Sequence, residues 1–372
     1  MSKEYSVIII GGGLAGLCAG IHLQRAGVQT LVMERYAYPK HKVCGEYLSL
    51  EVEPYLNSLG VRVRDLTSVQ IERLEFSNQQ GKTLTTSLPL GALGISRYAL
   101  DEALAKRYQE CGGALVQQQV TAVHYLQSTF EVWTAQHSYR AKWVFGAYGK
   151  RSLLDKQLSR NFIRKQTPWL AVKAHYQGAW PAELVGLHHF KGGYCGLSQV
   201  ENGRINVCYL THLDSFDLYK NLRDFEEDVL SENSALDAFF KSHTIDFEER
   251  LTISQISFEA KEAVVDHVWM LGDAAGLIHP LCGNGMAMAI HSAKIAAELW
   301  LEHARTSSVQ RESLEKQYTR HWNRQFRTRL RTGRWLQRLL LHESLASVSV
   351  DLVRRSPSLL NRLIAATHGT SL

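Results

Sequence analysis

A chain of 372 residues with 45% hydrophobic and 21% charged side chains is long enough for two domains with a substantial core, and its composition is that of a globular protein, not a disordered or fibrous one. Its apolar runs are too short to cross a bilayer, and no basic stretch followed by a cleavable apolar segment opens the chain, so a cytoplasmic protein is expected. The formal net charge of +6 is modest, the six cysteines form no CxxC pair and the sixteen histidines no HExxH pattern, which points to a reducing compartment and away from a bound metal.

The β-branched run 7–10 reads as a strand that leads into Gly11-Gly12-Gly13-Leu14-Ala15-Gly16, a helix, and a second apolar strand that ends in Glu34. Each glycine has a reason. Gly11 permits the tight turn out of the strand, Gly13 lets the backbone approach a pyrophosphate, and Gly16 lets the helix pack on the sheet. The helix N-terminus offers free N–H groups to phosphates, and Glu34 is spaced to accept from an adenosine ribose. A loop, Tyr38-Pro39-Lys40-His41-Lys42-Val43-Cys44-Gly45-Glu46, follows and leads to a helix near 49–59. Residues 69–95 alternate as strands joined through Gln79-Gln80-Gly81. A helix opens at Ser96-Arg97 and runs to about Cys111, and 116–125, 130–134 and 139–145 read as strands.

From 168 to 258 the texture is β-rich, with one helical stretch at 217–241. Its aromatic residues Trp169, Tyr176, Trp180, Phe190, Tyr194 and Tyr209 are candidates to line an apolar pocket. A further strand, 264–271, ends in Gly272-Asp273-Ala274-Ala275-Gly276, and His279-Pro280-Leu281-Cys282-Gly283-Asn284-Gly285-Met286 opens a small-residue helix over 285–302. An aspartate after a strand can bind a polyol hydroxyl, and Gly283 and Gly285 let backbone N–H groups face an anionic ligand edge. Two separated anion-binding turns suit one long dinucleotide. Between 311 and 338 nine basic residues alternate with Trp322, Phe326 and Leu330 at helical spacing. That pattern fits an amphipathic helix lying on the body with its arginines in water, or a peripheral membrane contact; no nucleic-acid-binding module is recognisable.

The GGGLAG…ER and GDAAG…P..GNGM pair resembles the FAD-dependent superfamily that contains aromatic hydroxylases of the para-hydroxybenzoate hydroxylase type and the geranylgeranyl reductases. The resemblance spans about residues 1–300. It implies an α/β fold: a Rossmann-like FAD-binding domain of the glutathione reductase type (1–68, 96–165 and 259–302), an inserted mixed-sheet substrate domain (69–95 and 166–258) and a C-terminal helical segment (303–372). It further implies FAD, held at the pyrophosphate by Gly11, Gly13, Leu14, Ala15 and Gly16. Glu34 and Arg35 would lie at the adenosine half, with Val120 at the adenine. Arg97 would contact the cofactor, Asp273 the ribityl chain, and Gly283, Asn284, Gly285 and Met286 the isoalloxazine edge. The PKHKVCGE run is similar to the reductase branch and makes Cys44 and Glu46 candidates for the catalytic wall.

Two departures bear on the reaction. Tyr148 stands where the hydroxylases carry an aspartate tied to FAD and NADPH contacts, so NAD(P)H is expected as an external electron donor at most. The WxWxIP element of flavin halogenases is absent, as is the aromatic-Phe-Pro segment of the reductases. The function expected is FAD-dependent oxidoreduction of a lipophilic small molecule, with hydroxylation of an aromatic or polyketide-like substrate ahead of double-bond reduction of an isoprenoid. A non-catalytic flavin-binding or electron-transfer module is the alternative outside enzymes.

Overall fold

In the computed structural model the described residues are 4–219, 221–305, 310–341 and 372. The strand Glu4–Ile10 lies at the centre of an eight-stranded sheet, flanked in parallel by Thr30–Glu34 on one side and Ser138–Gly146 on the other. Ala114–Gln117 and Val268–Met270 extend the parallel core outward. A parallel strand is covered on both faces, which is why residues 7–10 form an unbroken apolar run that is buried throughout. The expected strand over 116–125 is two strands, Ala114–Gln117 and Val120–Leu126. The first pairs with Thr30–Glu34; the second forms a hairpin with Thr129–Thr134.

The second sheet has nine strands and mixed direction. Strands Gln70–Ser77 and Thr83–Gly94 join strands of the 169–254 region through the parallel pairing of Gln70–Ser77 with Leu184–Phe190. The short strand Tyr47–Ser49 also belongs to it, paired with the end of Thr83–Gly94, although its segment otherwise serves the first domain. The α/β class and the inserted sheet are therefore as the sequence implies. The helical stretch expected over 217–241 is broken: Asn221 caps Leu222–Asp228, and Asn233 caps Ser234–Ser242 with its side chain on the N–H groups of Ala235 and Leu236.

Period-two alternation sorts the second sheet's side chains between two environments. Leu170, Val172, Ala174, Tyr176, Phe190 and Tyr209 pack with Phe225, Leu236 and Phe239 of those helices. Trp169, Ala171, Tyr194 and Leu210 point the other way, onto Phe258 and Leu277. The expectation of six pocket aromatics is corrected here. Trp169 and Tyr194 belong to the face toward the first domain, whereas Tyr176, Phe190 and Tyr209 sit in the helix-covered core and Trp180 packs against it.

The long helix Arg311–Leu341 lies across the first domain with Leu314, Tyr318, Trp322 and Phe326 buried in its core. The rest of the helical tail expected over 303–372 lies largely outside the described residues.

Candidate functional site

The first glycine turn is built from the strand end upward. Gly11 takes φ +107°, and a Cβ there would overlap the carbonyl of Ala147. A Cβ at Gly16 would overlap the carbonyl oxygen of Gly11. Both glycines are thus demanded by the protein's own packing. Gly13 is different: a Cβ there would meet only Arg97 Nη2, at 3.5 Å, so the protein leaves its near side open. Gly13 is the N-cap of the helix Leu14–Arg25, which has no side-chain cap and no acid in its first turn. An uncapped helix start with an open approach is a cradle for a phosphate group. Glu34, at the end of the neighbouring strand, accepts from the N–H groups of Gly12 (2.8 Å) and Tyr36 (3.2 Å), and the Tyr38 hydroxyl donates to the Gly12 carbonyl. Arg35 leans over the Tyr36 ring. Val120 is buried at the start of its hairpin, in the core shared with Leu14 and Met33.

Arg97 faces this turn from the helix Arg97–Glu110. Its guanidinium makes a two-point contact with Asp101 (2.7 and 2.8 Å), which also receives Lys42 at 2.7 Å. Burial pushes the Asp101 carboxyl up, but the two cations outweigh it and hold the group below its ordinary range.

The second turn is held from behind. Gly272 takes φ +57° and donates to Ser292 Oγ at 2.8 Å. Arg160, fully buried, pairs with Asp155 at 3.0 Å and donates to the Ala274 carbonyl at 2.8 Å. Lys261 donates to the carbonyls of Asp273 and Lys150, and burial lowers its pKa to about 8. Tyr148, the departure noted in the sequence, donates to Asp155 at 3.2 Å and so joins this support. Gly283 is left-handed at φ +63°, and the helix Gly285–Arg305 starts two residues later with only Ile278 near the missing Cβ of Gly285, at 3.8 Å. Met286 is buried at that helix start, and Asn284 is fully buried beside it. The open approach at Gly13 and the helix starts at both turns fit the pyrophosphate and flavin edge of FAD.

Between the turns lies the Cys44 loop. Asn206 donates to the Cys44 carbonyl at 3.3 Å and Ser198 to the Gly45 carbonyl at 3.5 Å, which moors the loop to the second sheet. Cys44 is half-buried. Glu46 behaves otherwise than a wall residue: it is fully buried, and its carboxylate receives the Arg97 N–H at 2.8 Å, the Lys173 ammonium, and His175 Nε2 at 2.7 Å. Burial would raise its pKa, but Lys173 and His175 together lower it. Glu46 is therefore an ionised anchor between the domains and not a proton donor. Lys173 and His175 escaped the sequence reading, although a lysine and a histidine two apart in the apolar strand 169–177 carried the signal of one polar stripe. His41 stands edge-on to His175 with ring centres 5.0 Å apart. His41, Glu46 and His175 bring ligand-type atoms within 4.8 Å of one another, but the Lys173 ammonium bound to the same carboxylate opposes a cation there.

Beside this polar anchor the stripe turns apolar. Trp169, Ala171, Tyr194, Leu210, Phe258 and Leu277 form one cluster, rimmed by Val43, Leu187 and Leu281. His279 is buried within the same ring of aromatics, 4.8 Å from Phe258. Its Nδ1 accepts from Leu281, its Nε2 has no partner, and burial lowers its pKa to about 3. The cluster between the Cys44 loop and the second glycine turn is thus apolar and buried, with a neutral imidazole in it.

Comparison with known proteins shows the family and the fold. The family model described as "FAD binding domain" matches residues 4–320. The chain is 25% identical over 385 residues to the FAD-dependent monooxygenase janM of Penicillium janthinellum, covering 94% of this chain and 80% of the relative. It is 25% identical over 322 residues to a menaquinone reductase of Mycobacterium tuberculosis, covering 79% and 76%. Among solved structures, the flavin-dependent brominase Bmp2 superposes with a TM-score of 0.81 at 17% identity, over 98% of this chain and 93% of the other.

Proposed function

This chain belongs to the FAD-binding-domain family, and from that premise we propose that it is a flavin monooxygenase that hydroxylates a lipophilic aromatic or polyketide-like molecule, with NAD(P)H as external electron donor. The observation that carries this reading is the buried apolar cluster of Trp169, Tyr194, Phe258 and Leu277, which Val43 of the Cys44 loop borders, next to a carboxylate already engaged by Lys173 and His175. Bound FAD supplies the redox chemistry. The chain's residues supply position and environment. Gly13 and the helix start behind it would hold the pyrophosphate, Glu34 the ribose and Asp273 the ribityl chain. The N–H groups near Gly283 and Gly285 would face the flavin edge. The aromatic cluster excludes water and seats an apolar ring, and the free Nε2 of His279 can meet a substrate hydroxyl.

In balance, one oxygen atom of O2 enters the substrate and the other leaves as water, with two electrons and two protons drawn from the donor. The test is isotopic. Reduced protein is mixed with 18O2 and a panel of lipophilic phenols, and products are weighed. Gain of one 18O atom supports the reading; hydrogen peroxide alone across the panel overturns it.

A second reading is double-bond reduction. The half-buried Cys44 thiol, next in sequence to the Val43 that borders the apolar cluster, and the similarity to a menaquinone reductase favour it. One alkene carbon would take a hydride and the other a proton, which Cys44 would give. Saturation of a polyprenyl substrate under argon, lost in Cys44→Ala, distinguishes this from the first.

A further inference from the structure

We infer that the outward face of the long helix Arg311–Leu341 docks on the surface of an anionic lipid bilayer. The inner face fixes the helix's rotation. Tyr318 stacks on Trp269 with ring centres 4.6 Å apart and donates to the Met270 carbonyl at 2.7 Å. Trp322 and Phe326 are buried, and Arg329 reaches the buried Glu51 at 3.5 Å. The opposite face therefore cannot turn inward. It presents Lys316, Arg320, Arg324, Arg327 and Arg331, all exposed at helical spacing, and then Trp335, 53% exposed. None of these five cations has an ion pair among the described residues, and residues 316–335 contain no acid. From Lys316 to Trp335 the ridge is about 28 Å long, at 1.5 Å per residue.

Charge and shape select the partner. A line of unpaired cations that ends in an exposed indole matches an anionic headgroup layer, where basic side chains gain from the surface potential and tryptophan sits at the interface. A nucleic-acid groove admits a helix free on most of its circumference; this one is packed on the body from Leu314 to Gly333. The same helix crosses the second glycine turn: a Cβ at Gly333 would lie 3.3 Å from Cys282 Sγ and 3.4 Å from the backbone nitrogen of His279. A docked bilayer would then lie about one helix diameter from the apolar cluster described above. No helix among the described residues is long and apolar enough to cross a membrane, so contact would be peripheral.

The experiment reads partition, not turnover, so the outcome is separate from that of the proposed reaction. Holoprotein is sedimented with phosphatidylcholine vesicles, with or without 30 mol% phosphatidylglycerol, at about 0.1 M salt, where surface charge still acts over roughly 10 Å. Binding is expected only to the anionic vesicles and is expected to fall steeply at higher salt. The variant Arg320→Gln/Arg324→Gln should bind about 30-fold more weakly, from two lost surface cations, while it keeps FAD and its melting temperature. Arg140→Gln, on the first domain's sheet, should bind like the parent. Equal binding to neutral vesicles, an unchanged double variant, or no binding even at low salt would each overturn the inference. Retention on duplex DNA without vesicle binding would do the same and point to nucleic acid.

Discussion

Gly13 and Gly16 stand three residues apart in one turn, yet they are glycines for different reasons. Gly16 is fixed by the carbonyl of Gly11, so Gly16→Val should prevent folding. Gly13 has backbone angles of −87° and −171° that any residue can adopt, and only the end of Arg97 lies near its missing Cβ. Gly13→Val is expected to fold with a near-parental melting temperature and purify colourless; a yellow, stoichiometric variant would remove Gly13 from the pyrophosphate site. Asp273→Ala should weaken FAD by about 1.5–3 kcal/mol, the range for a hydrogen bond to a charged group, read by titration of apoprotein. Glu46 offers the complementary case. Lys173→Met leaves a carboxylate buried with one fewer cation and should destabilise by about 3–5 kcal/mol in urea. The double variant Glu46→Gln/Lys173→Met should recover much of that, because the uncompensated charge is gone. A double variant no better than the single one would show that Lys173 acts through packing.

The strand Trp169–Gln177 and the long helix show how periodicity places side chains. In the strand, even-numbered residues enter the helix-covered core and odd-numbered ones face the first domain, so a charged residue at 173 had to find a partner across the interface. In the helix, a four-residue spacing buries Leu314, Tyr318, Trp322 and Phe326. Phe326→Ala is expected to cost about 3–5 kcal/mol through the cavity it leaves. Arg327→Ala, one position on and exposed, should stay within about 0.5 kcal/mol. Urea midpoints measure both, and equal effects would mean the helix is not seated as described.

The two sheets meet through few polar links: Lys173 and His175 on Glu46, Asn206 on Cys44, Ser198 on Gly45, and Ser96 on Glu201. Burial lowers the pKa of His188 and His291 to about 4 and of His279 to about 3; at His41 burial and then Lys173 do the same, to about 4. The unfolded chain takes up these protons near pH 6.5, and the folded one only near 4 or below. Between those values the unfolded state binds more protons, so stability falls as pH falls. The urea midpoint is expected to be flat from these groups above pH 7 and to drop between pH 6.5 and 4. His279→Asn, which keeps an acceptor for the Leu281 N–H, should drop less. A flat wild-type profile down to pH 5 would contradict the buried neutral histidines.

The glycine turns, the α/β class and the inserted sheet were legible because their causes are local: a turn with φ beyond reach of side chains, a helix start, a continuous apolar strand. The three broken elements, 116–125, 217–241 and 264–271 (a hairpin that turns at Asp266 and His267, both at positive φ), were also local matters, and Asn221 and Asn233 mark the second as N-caps. What sequence order could not supply was partnership across distance. The sequence names Cys44 and Glu46 in one run, but only the folded chain sets Glu46 against Lys173 and His175, about 130 positions away, and turns a candidate wall residue into an anchor. It likewise sorts Trp169 and Tyr194 from Tyr176 and Tyr209, since neither the side of the sheet nor what covers it is written in the spacing. Burial and ionisation depend on every neighbour at once, and those neighbours are chosen by packing.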